Sequence, residues 1–232
     1  VSCSAMQAKS TPGAARLRRF RRALIGWFRR HGRDLPWRRT RDPWAILVSE
    51  FMLQQTQVPR VEAYYHRFLV RFPTAADLAA SPTNLVREQW DGLGYYRRAA
   101  NLHRLAQRVV TEHQGAIPRD TELLQALPGV GPYTAGAVAC FAYERPVPAI
   151  DTNVARVLRR AFHPRQSRGS AAERRLQTTA TRLQPRRGDQ AWLLNQGLME
   201  LGALVCTARV ARCEVCPVRR ECATGRRKRI DE

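Results

Sequence analysis

The chain has 232 residues, 44% of them hydrophobic, which is enough to bury one good core or two small cores that share an interface. Its 40 Lys and Arg outnumber its 19 Asp and Glu, and the net charge of +21 favours nucleic acid as a partner. No apolar run approaches the ~20 residues that span a bilayer, and residues 1–15 lack an apolar signal core. We therefore expect no membrane partner and a cytoplasmic protein, associated with the nucleoid when it binds DNA.

The N-terminal part predicts an unstructured segment followed by one amphipathic helix. Residues 1–14 are small, polar and basic, and we expect a disordered leader there. Residues 16–30 carry apolar side chains at helical spacing among seven arginines, which is typical of a surface helix. The apolar positions are Phe20, Leu24, Ile25 and Phe28.

The next predicted helix, Pro43 to about Leu53, carries a carboxylate on its apolar side. Glu50 lies three or four residues from Ile46, Leu47 and Leu53, so it shares their face of the helix. A buried carboxylate needs either a charged partner or a raised pKa, because desolvation disfavours its charged form. Glu50 is therefore either a core residue paired with an arginine or a catalytic acid.

Two turns offer side chains that suit contacts with nucleobases. Gln54, Gln55, Thr56 and Gln57 follow the Glu50 helix and can read a base edge or fill the gap left by a flipped base. Tyr95 lies in a glycine-containing turn, where it either stacks into an opened duplex or caps a helix as a core aromatic. Further helices are predicted over 61–72, 85–90 and 98–113.

Residues 121–143 predict a helical hairpin around a glycine-rich turn. The helix over 121–127 ends at Pro128, and a second helix follows over 134–143. Glycine turns and helix starts bind phosphate through main-chain N–H groups, whatever the base sequence. The alternative is an ordinary corner between two helices. The groups that fit a phosphate contact belong to Gly129, Val130, Gly131, Tyr133 and Thr134.

The segment after the hairpin places Asp151 where the next predicted helix, 154–162, should begin. The pattern is helical again from Glu173 to Leu204, and a basic tail occupies 225–232. No strand-like alternation and no internal repeat are evident in the sequence. These patterns predict an all-α fold.

Four cysteines lie close together near the C-terminus, in the spacing Cys206-x6-Cys213-x2-Cys216-x5-Cys222. This spacing favours a metal site in a reducing compartment over a disulfide framework. Four sulfur ligands suit either zinc or an iron–sulfur cluster, and the spacing alone does not choose between them.

The hairpin together with Asp151 resembles the helix-hairpin-helix, Gly/Pro-Asp superfamily of DNA base-excision glycosylases. Within that superfamily, Glu50 to Val58 and Gly92 to Tyr96 resemble the MutY-like adenine DNA glycosylases. The matching motifs run in order from about Leu35 to Cys222.

The resemblance implies a fold with two lobes. Residues 37–148 would form a six-helix barrel lobe with the helix-hairpin-helix, and 15–36 with 149–224 would form a lobe with an iron–sulfur cluster loop. The cysteines would hold a 4Fe-4S cluster, and the arginines around them would clamp phosphate. The expected partner is double-stranded DNA with a mismatched or damaged base pair, bound by a monomer.

The resemblance also implies catalytic roles. Glu50 would protonate the leaving adenine and help to position water, and Asp151 would stay ionised and stabilise the sugar cation. Tyr133 and Asn153 would hold the sugar, the water or the carboxylate. The residues implied in substrate binding are Trp37, Arg38, Leu53, Gln54, Gln55, Thr56, Gln57, Tyr95 and Gln196.

Three departures from the family pattern shape the expected activity. Tyr133 occupies the position where bifunctional relatives have a Schiff-base lysine, so we expect simple hydrolysis. Thr152 stands where many adenine glycosylases have glycine, a change that we interpret as tolerated. About ten residues follow Cys222, where adenine glycosylases usually continue into a domain that recognises oxidised guanine, so we expect weaker preference for that base. The alternative function is a thymine or uracil mismatch glycosylase, and a non-catalytic DNA-binding module is less favoured.

Overall fold

The computed structural model of the protein describes residues 12–165 and 169–227. Within these ranges the secondary structure is helical, with one isolated bridge between Cys206 and Ala211 and no β-strand. This confirms the predicted all-α class. Most of the predicted leader and of the predicted basic tail, 1–11 and 228–232, lies outside the described residues. In the described part of the chain, no helix combines the length and the apolar character that crossing a membrane requires.

The helices are numbered in chain order. Short 3-10 turns at Pro36–Arg38 and Arg219–Glu221 accompany them. The α-helices are α1 (Ala14–His31), α2 (Pro43–Leu53), α3 (Val58–Arg71), α4 (Ala75–Ala79), α5 (Thr83–Trp90), α6 (Arg97–His113), α7 (Thr121–Ala126), α8 (Pro132–Phe141), α9 (Thr152–Phe162), α10 (Ser170–Leu183) and α11 (Gly188–Leu204).

The chain divides into two compact units. The central unit is residues 34–145, and the terminal unit combines 1–33 with 146–232. The described helices α2 to α8 belong to the central unit, whereas α1 and α9 to α11 belong to the terminal unit.

The central unit is built around α2, which is buried on nearly every face. Its residues from Trp44 to Met52 are all buried, and it packs against α3, α6 and α8. A helix that is apolar all round must lie inside the core, whereas amphipathic helices such as α3 and α6 cover it. Phe68 of α3 adds an aromatic cluster, with ring centroids 4.8 Å from Phe72 and 5.7 Å from Trp90.

The terminal unit is built around α11. This helix packs against α1 and α9, and α10 covers α9 and α1. The apolar stripe of α1 supplies Leu17, Phe20 and Leu24 to the core, and the ring of Phe20 lies 5.0 Å from that of Phe162. The amphipathic spacing of α1 therefore identified its buried face correctly.

Proline explains most differences between the predicted and the observed helices. α3 and α8 begin earlier than predicted, because Pro59 and Pro132 occupy their first turns, where the missing N–H costs nothing. The helical pattern predicted over 173–204 corresponds to two helices: α10 ends at Leu183 and α11 begins at Gly188, with Pro185 between them. The short helix α4 was not predicted, although Thr74 and Asp77 form a capping box there.

Candidate active site

The turn of the helical hairpin, between α7 and α8, depends on Gly129. Its φ is 78°, and a Cβ added there would lie 2.9 Å from the Asn101 side chain and 3.0 Å from Phe51. Both the backbone conformation and the available space therefore demand glycine at this position. Gly131 has an ordinary φ of −93° and open space around its Cα, so it precedes α8 without such constraint.

The groups predicted to bind phosphate lie together in this turn and in the first turn of α8. Val130 and Thr134 are buried, and the Val130 amide already donates a 3.2 Å hydrogen bond to the carbonyl of Leu127. The first amides of a helix lie outside its own hydrogen-bond ladder. The hairpin turn thus brings the predicted phosphate-binding residues together, with the Val130 amide bonded within the turn.

Glu50 is 4% exposed, as its position on the apolar face predicted. It lies in the last turn of α2, whose first turn is capped by Asp42. The Asp42 carboxylate accepts hydrogen bonds from the backbone amides of Trp44, at 3.0 Å, and Ala45, at 3.4 Å. The helix that carries Glu50 is therefore fixed at its N-terminus and buried along its length.

Sequence reasoning missed Arg98, which fixes the other end of α2. Its guanidinium donates hydrogen bonds to the carbonyls of Phe51, at 3.0 Å, and Met52, at 2.7 Å. It also donates to the carbonyl of Gln54 and, at 3.0 Å, to Thr56 Oγ1. Burial lowers the pKa of Arg98. One side chain thus binds the segment that directly follows Glu50.

The residues predicted to read a base differ in exposure. Gln55, Gln57 and Tyr95 are exposed, whereas Leu53 and Gln54 are half-buried. Tyr95 is 60% exposed, which excludes its alternative interpretation as a core aromatic.

The structure places Trp37 in a packed corner. It is 7% exposed, and its ring lies 5.5 Å from that of Tyr65 in an edge-to-face arrangement. Burial also raises the pKa of Tyr65 to about 12. Arg38 beside it is half-buried.

Asp151 forms the N-cap of α9 in the terminal unit. Its Oδ1 accepts a 2.7 Å hydrogen bond from the Val154 amide, and its Oδ2 accepts a 2.9 Å hydrogen bond from Asn153 Nδ2. The partial positive charge at a helix N-terminus stabilises an ionised carboxylate. Asp151 and Asn153 therefore lie together at the start of α9.

A second residue that sequence reasoning missed, Arg156, connects Asn153 to the cysteine loop. Its guanidinium donates to Asn153 Oδ1 at 2.7 Å, to the Gly202 carbonyl at 2.7 Å and to the Cys206 carbonyl at 2.9 Å. Gly202 leaves room for this packing, because a Cβ there would lie 2.7 Å from the Asn153 side chain. Hydrogen bonds thus run from Asp151 to the backbone of the first cysteine.

Gln196, predicted to bind substrate, is 5% exposed on α11. Its neighbour Asn195 holds the segment that leads to Asp151: its Oδ1 accepts from the Ala149 amide at 3.0 Å, and its Nδ2 donates to the Val147 carbonyl at 3.2 Å. The side-chain amide of Asn195 therefore makes its hydrogen bonds inside the terminal unit.

The four C-terminal cysteines line one pocket of the terminal unit. They are half-buried free thiols, and Arg160 Nη1 lies 3.3 Å from the sulfur of Cys206. Burial raises the pKa of Cys216 to about 12 and also raises that of Cys222. The sulfur donors suit zinc or an iron–sulfur cluster in kind. Across residues 12–165 and 169–227, however, no three His, Cys, Asp or Glu side chains form a group that could hold a metal ion as they stand.

Comparison with known proteins relates these features to a family. A family model described as "HhH-GPD superfamily base excision DNA repair protein" matches residues 48–181. This range contains Glu50, the hairpin and Asp151.

Two curated relatives match most of the chain. The adenine DNA glycosylase of Mycobacterium tuberculosis is 48% identical over 196 residues, which are 84% of this chain and 64% of that protein. The thymine-DNA glycosylase of Aeropyrum pernix is 38% identical over 210 residues, which are 89% of this chain and 94% of that protein. The chain thus spans about two-thirds of the length of the first relative and nearly all of the second.

A solved structure of a thermostable thymine-DNA glycosylase superposes with a TM-score of 0.83 at 30% sequence identity. The superposition covers 91% of this chain and 97% of that structure. The fold is therefore shared along nearly the whole of both chains.

Proposed function

The chain belongs to the HhH-GPD superfamily of base excision DNA repair proteins, and from that membership we propose that it is a monofunctional DNA glycosylase. Its proposed reaction is hydrolysis of the N-glycosidic bond of adenine mispaired with guanine or 8-oxoguanine. The observation that carries the proposal is the family match, which spans both Glu50 and Asp151. The 48% identity with an adenine DNA glycosylase supports adenine as the base.

The proposed partner is double-stranded DNA, bound by a monomer in the cytoplasm. The net charge of +21 supports a polyanionic partner, because cationic side chains release counterions from the phosphate backbone. The main-chain groups of Gly129, Gly131, Tyr133 and Thr134 would hold one phosphate, whereas the amide of Val130 already donates to the carbonyl of Leu127. Gln54 to Gln57 and Tyr95 would contact the bases around the opened pair.

In the proposed mechanism, Glu50 and Asp151 have different tasks. Burial disfavours a charged carboxylate, so Glu50 holds the proton that the departing adenine takes. Asp151, which caps the start of α9, stabilises the cation-like sugar. Water then adds to the sugar carbon and gives its proton to the Glu50 carboxylate, which restores the acid, and Tyr133 and Asn153 orient the groups involved. The products are free adenine and an abasic site.

We propose that Cys206, Cys213, Cys216 and Cys222 hold a 4Fe-4S cluster. The shared pocket of the four thiols and the hydrogen bond to Cys206 Sγ support it, because cations around a cluster balance its negative charge. When bound, the cluster would tie the loop together through four thiolate bonds. Iron and acid-labile sulfide in stoichiometric amounts are expected in protein purified anaerobically, and stoichiometric zinc without iron would contradict the proposal.

A second candidate activity is removal of thymine or uracil from mismatches with guanine. The specific observation in its favour is that the Aeropyrum pernix thymine-DNA glycosylase is covered over 94% of its length at 38% identity. The glutamine-rich segment after Glu50 favours adenine instead, because its amides suit the donor and acceptor edge of that base.

Single-turnover base release from A:G, A:8-oxoguanine, T:G and U:G duplexes decides between the two activities. We expect adenine to be released from the first two duplexes and thymine or uracil to remain. Release of thymine or uracil without adenine would establish the second candidate.

Two isosteric variants test the assigned carboxylates. Glu50→Gln and Asp151→Asn should each lower the single-turnover rate roughly 10²–10⁴-fold while duplex affinity stays largely intact. Asparagine still caps a helix, so Asp151→Asn preserves the start of α9. The exposed Glu88→Gln serves as the control and should leave the rate unchanged. A loss below about tenfold for Glu50→Gln would exclude its role as general acid.

A further inference from the structure

Arg98 is an arginine buried within the central unit, with 6% of its surface exposed. Its hydrogen-bond acceptors are five backbone carbonyls and one hydroxyl. They are the carbonyl oxygens of Phe51, Met52, Gln54, Leu93 and Gly94, together with Thr56 Oγ1. A buried cation is costly unless its donors are satisfied. Here the dipoles of two separate turns satisfy Nη1 and Nη2, whereas Nε is buried without a hydrogen-bond partner.

The first of these turns is the C-terminus of α2. The residue that ends this helix, Gln54, has an extended ψ of 113° instead of a helical one. The last carbonyls of a helix carry partial negative charge and need donors from outside. Arg98 supplies those donors and so acts as the C-terminal cap of the Glu50 helix.

The second turn carries Tyr95. Arg98 Nη2 donates to the carbonyl of Leu93 at 3.3 Å and to that of Gly94 at 3.1 Å. The guanidinium carbon also lies 5.4 Å from the ring centroid of Tyr95, within cation–π range. One planar group therefore joins the turn after α2 to the turn before α6.

Each turn contains one side-chain-bearing residue in the left-handed region. Gln55 has a φ of 57° and Tyr95 a φ of 49°. Such conformations cost ~1–3 kcal/mol and persist only where the surroundings over-determine them. Arg98 binds both neighbours of Gln55, at Gln54 and Thr56, and the carbonyl that precedes Tyr95. The two strained residues thus share Arg98 as a common anchor, and Trp90 Nε1 also donates to the Gly94 carbonyl at 3.1 Å.

We propose that Arg98 is a positioning residue that holds Gln55 and Tyr95 together in the conformation needed to open the target base pair. The inference rests on the proposed glycosylase function and concerns the step before bond cleavage. Tyr95 and Gln55 are exposed, so they are available to enter a duplex. Base opening replaces stacking and pairing in the DNA with contacts to such side chains. Loss of the shared anchor would release both residues from these conformations at once.

Lysine cannot replace Arg98 in this role. Arginine presents five N–H donors in a rigid plane, whereas lysine presents three donors on a flexible stem. Arg98→Lys therefore keeps the charge near α2 but cannot bridge the two turns. The neighbouring Arg97 is exposed at the start of the same helix, so Arg97→Lys is a matched control.

The experiment measures base opening separately from base release. A duplex with the fluorescent analogue 2-aminopurine opposite guanine reports unstacking of the target base upon binding. We expect wild-type protein and Arg97→Lys to raise the fluorescence, and Arg98→Lys to bind without raising it. The rate of adenine release from A:G should fall roughly 10²-fold in Arg98→Lys, because misplacement of reacting groups by about 1 Å can lower a rate by that factor.

A fluorescence rise retained in Arg98→Lys would overturn the inference, whatever happens to adenine release. An absent rise in wild-type protein would also overturn it. If Arg98→Lys does not fold, Thr56→Val is the second variant, because it removes one of the six acceptors of Arg98. Its fluorescence rise and its rate of adenine release should each fall about fivefold, as expected for the loss of one hydrogen bond. An unchanged signal in Thr56→Val would then contradict the inference. Wild-type protein that releases no adenine from A:G refutes the proposed function separately.

Discussion

At the scale of single residues, the hairpin turn depends on the absence of a side chain at Gly129. Gly129 has no Cβ, and this permits both its left-handed backbone and its contact with Phe51 of α2. Phe51 directly follows Glu50 in sequence. The turn proposed to bind phosphate is therefore packed against the helix that carries the proposed acid.

Gly129→Ala should destabilise the protein by about 1–3 kcal/mol, because alanine is strained at this φ and its Cβ would overlap Asn101 and Phe51. Gly131→Ala is the matched control, since its φ is ordinary and its surroundings are open. We expect the control to change the free energy of unfolding by less than about 0.5 kcal/mol. Urea denaturation followed by circular dichroism measures both, and equal values would contradict this description of the turn.

At the scale of elements, α9 connects the proposed sugar-stabilising carboxylate to the cysteine loop. Asp151 caps the helix, Arg156 binds the backbone of Cys206, and Arg160, one turn later, binds its sulfur. At the far end of the helix, the carbonyl of Ala161 accepts a 2.8 Å hydrogen bond from the amide of Ala223. The position of α9 thus depends on the loop at several points.

Arg156→Met should lower single-turnover adenine release roughly tenfold, because Asn153 loses the partner that orients it toward Asp151. The same variant should lose the proposed cluster more readily on dilution, since the Cys206 carbonyl loses a donor. Arg159→Met is the control: its contact with Glu173 is exposed, and such pairs contribute little. Equal rates of adenine release for the two variants would show that the hydrogen bond between Arg156 and Asn153 does not contribute to base release.

Much of the fold could be predicted from the spacing of residues in the sequence, whereas the burial of particular arginines could not. The Glu50 helix, the hairpin and the cysteine pocket were predictable, because apolar periodicity, glycine and cysteine are informative residue patterns. Among 40 Lys and Arg, by contrast, residue type does not reveal which ones are buried. One signal for Arg98 was available: it occupies the apolar stripe of α6 that continues through Leu102, Leu105 and Val109. Arg156 had no such signal, since its role depends on a loop 50 residues away.

At the scale of the whole molecule, the chain passes between the two units twice, near residues 33–34 and 145–146. Within the terminal unit, α11 holds both passing segments. Glu200 binds the backbone amide and guanidinium of Arg33 at 2.7–3.0 Å, and Asn195 binds Val147 and Ala149. The side chain of Glu200 is fully buried.

Glu200→Gln should reduce the free energy of unfolding by about 1.5–3 kcal/mol, the usual range for hydrogen bonds to a charged group. Asp34, which directly follows Arg33, offers a control. It pairs with Arg39 in solvent, and both side chains are more than 60% exposed. Asp34→Asn should therefore cost less than about 1 kcal/mol. Thermal and urea unfolding of both variants measure the difference. If Glu200→Gln lowers the free energy of unfolding no more than Asp34→Asn does, α11 does not hold the Arg33 segment through Glu200.

The packing of α1 against α11 also governs how the protein folds during synthesis. The central unit is continuous, so all of its residues emerge from the ribosome in one block. The apolar face of α1, by contrast, emerges first and must wait for α11 before it can be covered. At ribosomal rates of ~5–20 residues per second, that interval is roughly 10–30 s. During it, the apolar side chains of Phe20 and Leu24 lack their partners on α11, and refolding from denaturant removes this delay.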